Sequence, residues 1–220
     1  MKQVRFLFTL CLVLGGLVGL WGGAPAAVEA TSFHTIVIDG TNDFTADETM
    51  PGTSGSTWYM TWSATHFYFG INASDVGSGS ATRFVNLYLD TDPQQNPLSG
   101  NGTSTGVLYN TQQPGLSFNA DYHFRWQANN AYTNMLDWNN GTLSWTDDNT
   151  GNNNFGITAF QSGNYLEVAI PRASLGNPTA VYAAGSMINE QAFNEYTFFM
   201  FPNGNSEGYD ANYPNYRGFP

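Results

Sequence analysis

Three carboxylates bracket one stretch of the chain. In RFVNLYLDTDPQQN, residues 83–96, Asp90 and Asp92 close an apolar run, and Asp121 opens the next one, NADYHFRWQ at 119–127. Alternate residues of a strand share a face. That rule sets Asp90 and Asp92 beside Asn86 and Tyr88, sends Leu87 and Leu89 to the other side, and points Thr91 away. If the loop between the two runs brings them side by side, Asp121 meets the Asp-Thr-Asp end. Three like charges at one strand edge then call for a cation. Calcium suits such a corner, because it takes oxygen ligands from carboxylates, carbonyls and water. The stretch is not an EF-hand, since Gln94 and Gln95 stand where that motif needs a ligand oxygen and a glycine. The plainer alternative is a set of solvated strand-end acids that discourage edge pairing. Asp147-Asp148-Asn149 is a second oxygen-rich candidate.

Rings form the other chemical inventory. Trp58, Trp62, Trp126, Trp138 and Trp145 are candidates for a platform on which a pyranose lays its C–H face, with nearby polar groups bonding its hydroxyls. Trp58, Trp62 and Trp126 fit the apolar faces of their strands and therefore also the core. Trp138 and Trp145 flank a polar hairpin tip. Arg125, on the polar face of its strand, either bonds a sugar hydroxyl or pairs with an acid, and Tyr109 and Tyr132 are further rim residues. The expected ligand-binding set is Trp138, Trp145, Arg125, Trp126 and Tyr132.

Catalysis has little to stand on. His34, His66 and His123 are scattered, with no H-E-x-x-H or G-x-S-x-G and no cysteine nucleophile. Glu167 and Glu195 sit in strand-like runs and are candidate carboxylates for a glycosidase pair, but Glu167 belongs to an E-x-x-I-P pattern and is expected to be structural, and the chain is expected not to be an enzyme. The glycines at 100, 102 and 106 miss the G-x-G-x-x-G spacing by one residue, and no helix pattern follows them, so that loop is turn chemistry.

These residues must be positioned by strands. Residues 1–30 are set aside as a secretory signal peptide: Lys2 and Arg5 precede an apolar run at 6–21, and Val28-Glu29-Ala30 offers a cleavage site. Export to the extracellular space or cell envelope follows. The only cysteine, Cys11, lies in this segment, so residues 31–220 carry no disulfide. The chain has a formal net charge of −11. Removing Lys2, Arg5 and Glu29 leaves four arginines and no lysine against 16 carboxylates. Such a surface repels phosphate backbones, which excludes nucleic acid, and no second apolar run suggests a membrane span.

Period-two alternation in TWYMTW and HFYFGIN predicts a hairpin over 58–71. Further strands are predicted at 35–39 (TIVID), 83–92, 107–110, 122–127, 155–160, 165–170, 181–184 and 196–201. Asn139-Asn140-Gly141 predicts a hairpin between 135–138 and 142–145, and RASLG a single helical turn. Ten to twelve short strands without an amphipathic helix mean an all-β protein, an antiparallel, jelly-roll-like β-sandwich over 31–205 with an irregular aromatic tail over 206–220. No internal repeat is visible.

The segments IVIDG, TWYMTWSATHFYFGINAS, NLYLDTDP, NADYHFRW and EVAIPRASLG occur in the order seen in the family 9 carbohydrate-binding module and its DOMON-like relatives, and the chain resembles that family over about residues 36–176. The resemblance implies a jelly-roll-like sandwich, in some members with structural calcium, and in sugar-binding members a pair of rings clamping a saccharide. Relatives of this fold also bind haem; Met and His are present here without an evident pairing. The expectation is a secreted, calcium-stabilised module for a neutral oligo- or polysaccharide. The alternative is a structural or surface-assembly subunit that contacts itself or other surface proteins through edge strands and the aromatic tail.

Overall fold

The computed structural model describes residues 34–147 and 155–220. The expected signal peptide, and Asp148 and Asn149 of the second acidic candidate, lie outside the described residues. Among those described, the strands are β1 (Thr49–Pro51), β2 (Thr57–Trp62), β3 (His66–Asn72), β4 (Arg83–Asp90), β5 (Thr103–Thr105), β6 (Gly115–Ala120) and β7 (Tyr122–Gln127). They continue as β8 (Thr133–Asn139), β9 (Ser144–Thr146), β10 (Thr158–Ser162), β11 (Tyr165–Pro171), β12 (Val181–Asn189), β13 (Tyr196–Phe201) and β14 (Arg217–Phe219). Sheet A runs β1-β2-β3-β11-β10 and sheet B runs β13-β12-β4-β7-β8-β9, with β14 also on β12. Strands β5 and β6 form a separate ribbon. The strand pairs are antiparallel and the two sheets pack together as the β-sandwich expected.

The predicted hairpin is β2 and β3. Its turn is held by Ser63, whose hydroxyl accepts from the backbone N–H of Thr65 (3.2 Å) and of His66 (3.1 Å). Pairing Trp58 with Ile71, Met60 with Phe69 and Trp62 with Phe67 sets these six side chains on one face, and all are buried between the sheets. Val85, Leu87 and Leu89 of β4 and Phe124 and Trp126 of β7 meet them from sheet B. Each fully buried side chain of this size contributes about 1.5–3 kcal/mol. Gly185 on β12 makes room for one of them, since a Cβ there would lie 2.7 Å from the Trp58 ring.

The outer faces are covered as well. Residues 34–48 lie over sheet A, where Ile36 and Phe44 pack on Tyr59, Tyr68 and Tyr165. This corrects the strand expected at 35–39: Ile36 and Ile38 alternate as a strand's residues do, but they plug a sheet face with side chains and form no ladder. Glu167, expected to be structural, accepts through Oε1 from the Gly40 N–H and ties this segment to β11. Over sheet B lie the β5–β6 ribbon and the chain's end, with Phe118 and Tyr213 fully buried beside Tyr88. Much of the tail is irregular and exposed, as expected, but it is anchored at two points. Tyr213 is 1% exposed and meets Ser186 Oγ at 2.5 Å, and β14 closes against β12.

Three other expectations shift. The strand expected at 107–110 is a tight turn with a single bridge from Tyr109 to Gln112. Strand β6 was not expected, and β12 runs five residues past the predicted end at 184. The turn at Arg172–Leu175 forms as one short 3-10 turn ending at Gly176.

Candidate functional site

Antiparallel pairing of β4 with β7 ends at Leu89 opposite Tyr122, so the next residue of one strand and the preceding residue of the other share a corner. Asp121 N–H donates to Leu89 O at 2.9 Å, which seals the corner. The register thus brings Asp90, Asp92 and Asp121 together, each offering an oxygen within 4.8 Å of the others. Thr91 does not point away as expected. The strand ends at Asp90, and Thr91 turns to serve Asp121, donating its N–H to Oδ1 (3.0 Å) and its hydroxyl to Oδ2 (2.5 Å).

Asp90 is only 1% exposed. Its Oδ1 accepts from the Asp92 N–H at 3.0 Å, while Asp90 Oδ2 and Asp92 Oδ1 are buried without a hydrogen-bond partner. Burial pushes the Asp90 carboxyl up to about 7; the Asp92 N–H opposes that shift and the charges of Asp121 and Asp92 add to it. Burial likewise lifts Asp121 to about 6 against the two Thr91 hydrogen bonds. A buried acid with an unsatisfied oxygen, facing two further acids, is strained as an anion and relieved by a cation. This group can hold a metal ion.

Two residues beyond the expected set complete the corner. Asn101 donates to Asp92 Oδ2 at 2.9 Å, and Asn140, at the tip of the β8–β9 hairpin, donates to Asn101 Oδ1 at 3.3 Å. The loop reaches this position through Gly102. Its φ is +88°, and a Cβ there would lie 2.5 Å from Ala120 O. The glycines therefore serve close backbone packing, and the Asn-rich loop composition was the available signal for Asn101.

The same hairpin carries two of the expected rings. Trp138 pairs with Trp145 across β8 and β9, their centroids 5.6 Å apart at 71°, edge to face. They line an open groove of about 530 Å³ with Val107, Leu108, Leu136 and Leu143. Trp145 is fixed by its indole N–H donating to Thr105 O on β5 (3.0 Å). Trp138 and Trp145 are both half-buried, with surface left to offer.

Other expected ring-site residues go elsewhere. Trp126 is fully buried in the core and donates to Asn130 Oδ1 at 3.1 Å; its place on the apolar face of β7 removes it from any platform. Arg125 and Tyr132 form a separate cluster, the guanidinium lying 4.8 Å from the Tyr132 ring centroid and bonding its hydroxyl. Arg125 also pairs with Asp147 at 3.4 Å, so of its two expected roles the acid partner is the one formed. Tyr109 is not a rim residue either. It is buried and donates to Asn86 Oδ1 at 2.7 Å, with His123 Nε2 2.9 Å from its oxygen. Burial, aided by Arg125, pushes the His123 pKa well down. The ring is neutral, and with Tyr109's proton on Asn86 it donates from Nε2.

No protein-family model, curated protein or solved structure matches the chain. Among the described residues no helix is long and apolar enough to cross a membrane.

Proposed function

We propose that this chain is an exported, non-catalytic carbohydrate-binding β-sandwich, with calcium at Asp90, Asp92 and Asp121 and a neutral glycan on the Trp138 and Trp145 groove. The observation that carries the reading is the chain of contacts from Asp92 through Asn101 to Asn140, which props the ring-bearing hairpin on the acidic corner. Calcium accepts many oxygens in irregular geometry, whereas magnesium demands a near-ideal octahedron; three acids on two strand ends and a loop suit the former. The net charge of −11 favours an uncharged ligand over an anionic one. The likeness to the family 9 modules and their DOMON-like relatives agrees with this reading.

A glycan array on the protein, with calcium and again with chelator, tests it. The expected result is binding of a neutral glycan that weakens at least tenfold in Trp138→Ala and weakens on chelation, together with a lower melting temperature in chelator. No glycan signal in either condition overturns the sugar reading, and a melt unmoved by saturating chelator overturns the ion. The assembly reading is supported by Phe160 at 46% exposure on the edge strand β10 and by Tyr209 at 56% in the tail. Self-association abolished by Phe160→Lys, with no glycan bound, would favour it.

A further inference from the structure

Sheet B has a second mouth at its opposite edge, on β13. Tyr196, Phe198 and Phe199 floor an open groove of about 390 Å³ whose polar wall includes Asp75, Arg83 and Glu207. The Tyr196 and Phe198 rings stand 6.5 Å apart, tilted by 32° to each other, and Tyr196 is 44% exposed. Arg83 is aligned by Asp75 at 2.8 Å, which leaves guanidinium donors for another acceptor.

The floor is built under strain. Phe199 has a φ of +51°, a left-handed conformation that a bulky residue keeps only where its surroundings over-determine it. Here they do. Its N–H donates to Glu207 Oε1 (2.9 Å), its carbonyl accepts from the Trp58 indole (3.0 Å), and the next N–H, that of Met200, donates to Thr53 Oγ1 (2.7 Å). Ser54 steadies the same carboxylate at 2.8 Å. The left-handed residue coincides with the shift of register between β12 and β13, and Phe199 joins Tyr196 and Phe198 in the groove. In the hairpin leading into β13, Phe193 also has a positive φ, +65°, and is wholly exposed.

Neighbouring ring faces beside a guanidinium and two carboxylates fit a ligand with a flat C–H face and hydroxyls around it. An anion would meet two carboxylates against one cation. A purely apolar ligand would cover Asp75, Arg83 and Glu207 without bonding them, which is costly. We propose that this groove is a second saccharide site, for the neutral class of ligand assigned to the tryptophan groove. It rests on that reading for its ligand class, but on its own residues for its geometry. With grooves at both edges of one sheet, a single copy binds two stretches of glycan at once, and avidity follows.

The test is NMR of the isotope-labelled protein in calcium, titrated with cellohexaose, xylohexaose, mannohexaose and laminarihexaose. The expected result is that one hexaose moves signals of Arg83, Tyr196 and Phe198, and still does so in Trp138→Ala. In that background Tyr196→Ala should weaken binding at least fivefold while Tyr196→Phe keeps it, since the ring face is what is used. Shifts confined to Trp138 and Trp145 overturn this site and leave the first standing. Shifts confined to β13 do the reverse, and shifts at neither overturn both. Movement of Tyr196 and Phe198 with protein concentration, without sugar, assigns the groove to a second copy of the chain and also overturns the proposal.

Discussion

Along β4, successive side chains enter surroundings that share little beyond the exclusion of water. Val85, Leu87 and Leu89 face the sandwich interior, an apolar core with Phe69, Phe124 and Trp126. Asn86, Tyr88 and Asp90 face outward, yet they are equally buried, under the β5–β6 ribbon and the chain's end. There the contacts are specific polar ones: Asn86 to Tyr109, the Tyr88 hydroxyl to the Val107 N–H at 3.0 Å, and Ser186 of the neighbouring β12 to Tyr213. The first face asks only for shapes that fill it without clash. The second needs each donor matched, because an unmatched buried polar group costs more than a matched one contributes; among the described residues matching fails at the acidic corner, at Asp90 Oδ2 and Asp92 Oδ1, and again at His123 Nδ1.

The contrast makes predictions. The largest effect belongs to the apolar face: Leu87→Ala should cost about 3 kcal/mol through the cavity it leaves. Denaturant unfolding should show the same loss at pH 4 and pH 7, with or without chelator, and a loss that follows pH would mean the two faces are coupled. Next comes the acidic corner without its ion. An unfolded Asp90 gives up its proton near 3.8, while the folded one holds it to about 7, so stability is full below about pH 4 and falls as pH rises toward 7. The fall should be about 2 kcal/mol, after relaxation around the group is allowed for. Calcium should offset most of it at pH 7, and Asp90→Asn should reduce it to the share that Asp121, also raised by burial, contributes; an unchanged slope in that variant breaks the assignment to Asp90. Smallest is Tyr213→Phe, which leaves the shape and removes the hydroxyl facing Ser186. About 1 kcal/mol should be lost, read as a lower denaturation midpoint at unchanged slope.

What could be read from the sequence follows the same divide. Alternation in β4 and β7 located the inner face, and because these two strands are direct neighbours it also carried Asp90, Asp92 and Asp121 to one corner. The outer cover was not legible. Tyr213 is buried against residues some 27 and more positions away along the chain, and nothing near it in sequence marks it as interior. The sequence pattern does not mark the continuation of β12 past 184, where the small Gly185 accommodates the Trp58 ring. Arg125 and Trp126 illustrate the limit at the site. Their faces were assigned correctly by alternation, but which partner waits on each face depends on Asp147 and on sheet A, which periodicity does not report.

The tie between Glu167 and the Gly40 N–H reaches beyond local geometry. It pins a segment that acts as a shutter over a row of tyrosine rings, Tyr59, Tyr68 and Tyr165. A chain lacking residues 34–48 would keep every strand of both sheets yet bare those rings to water.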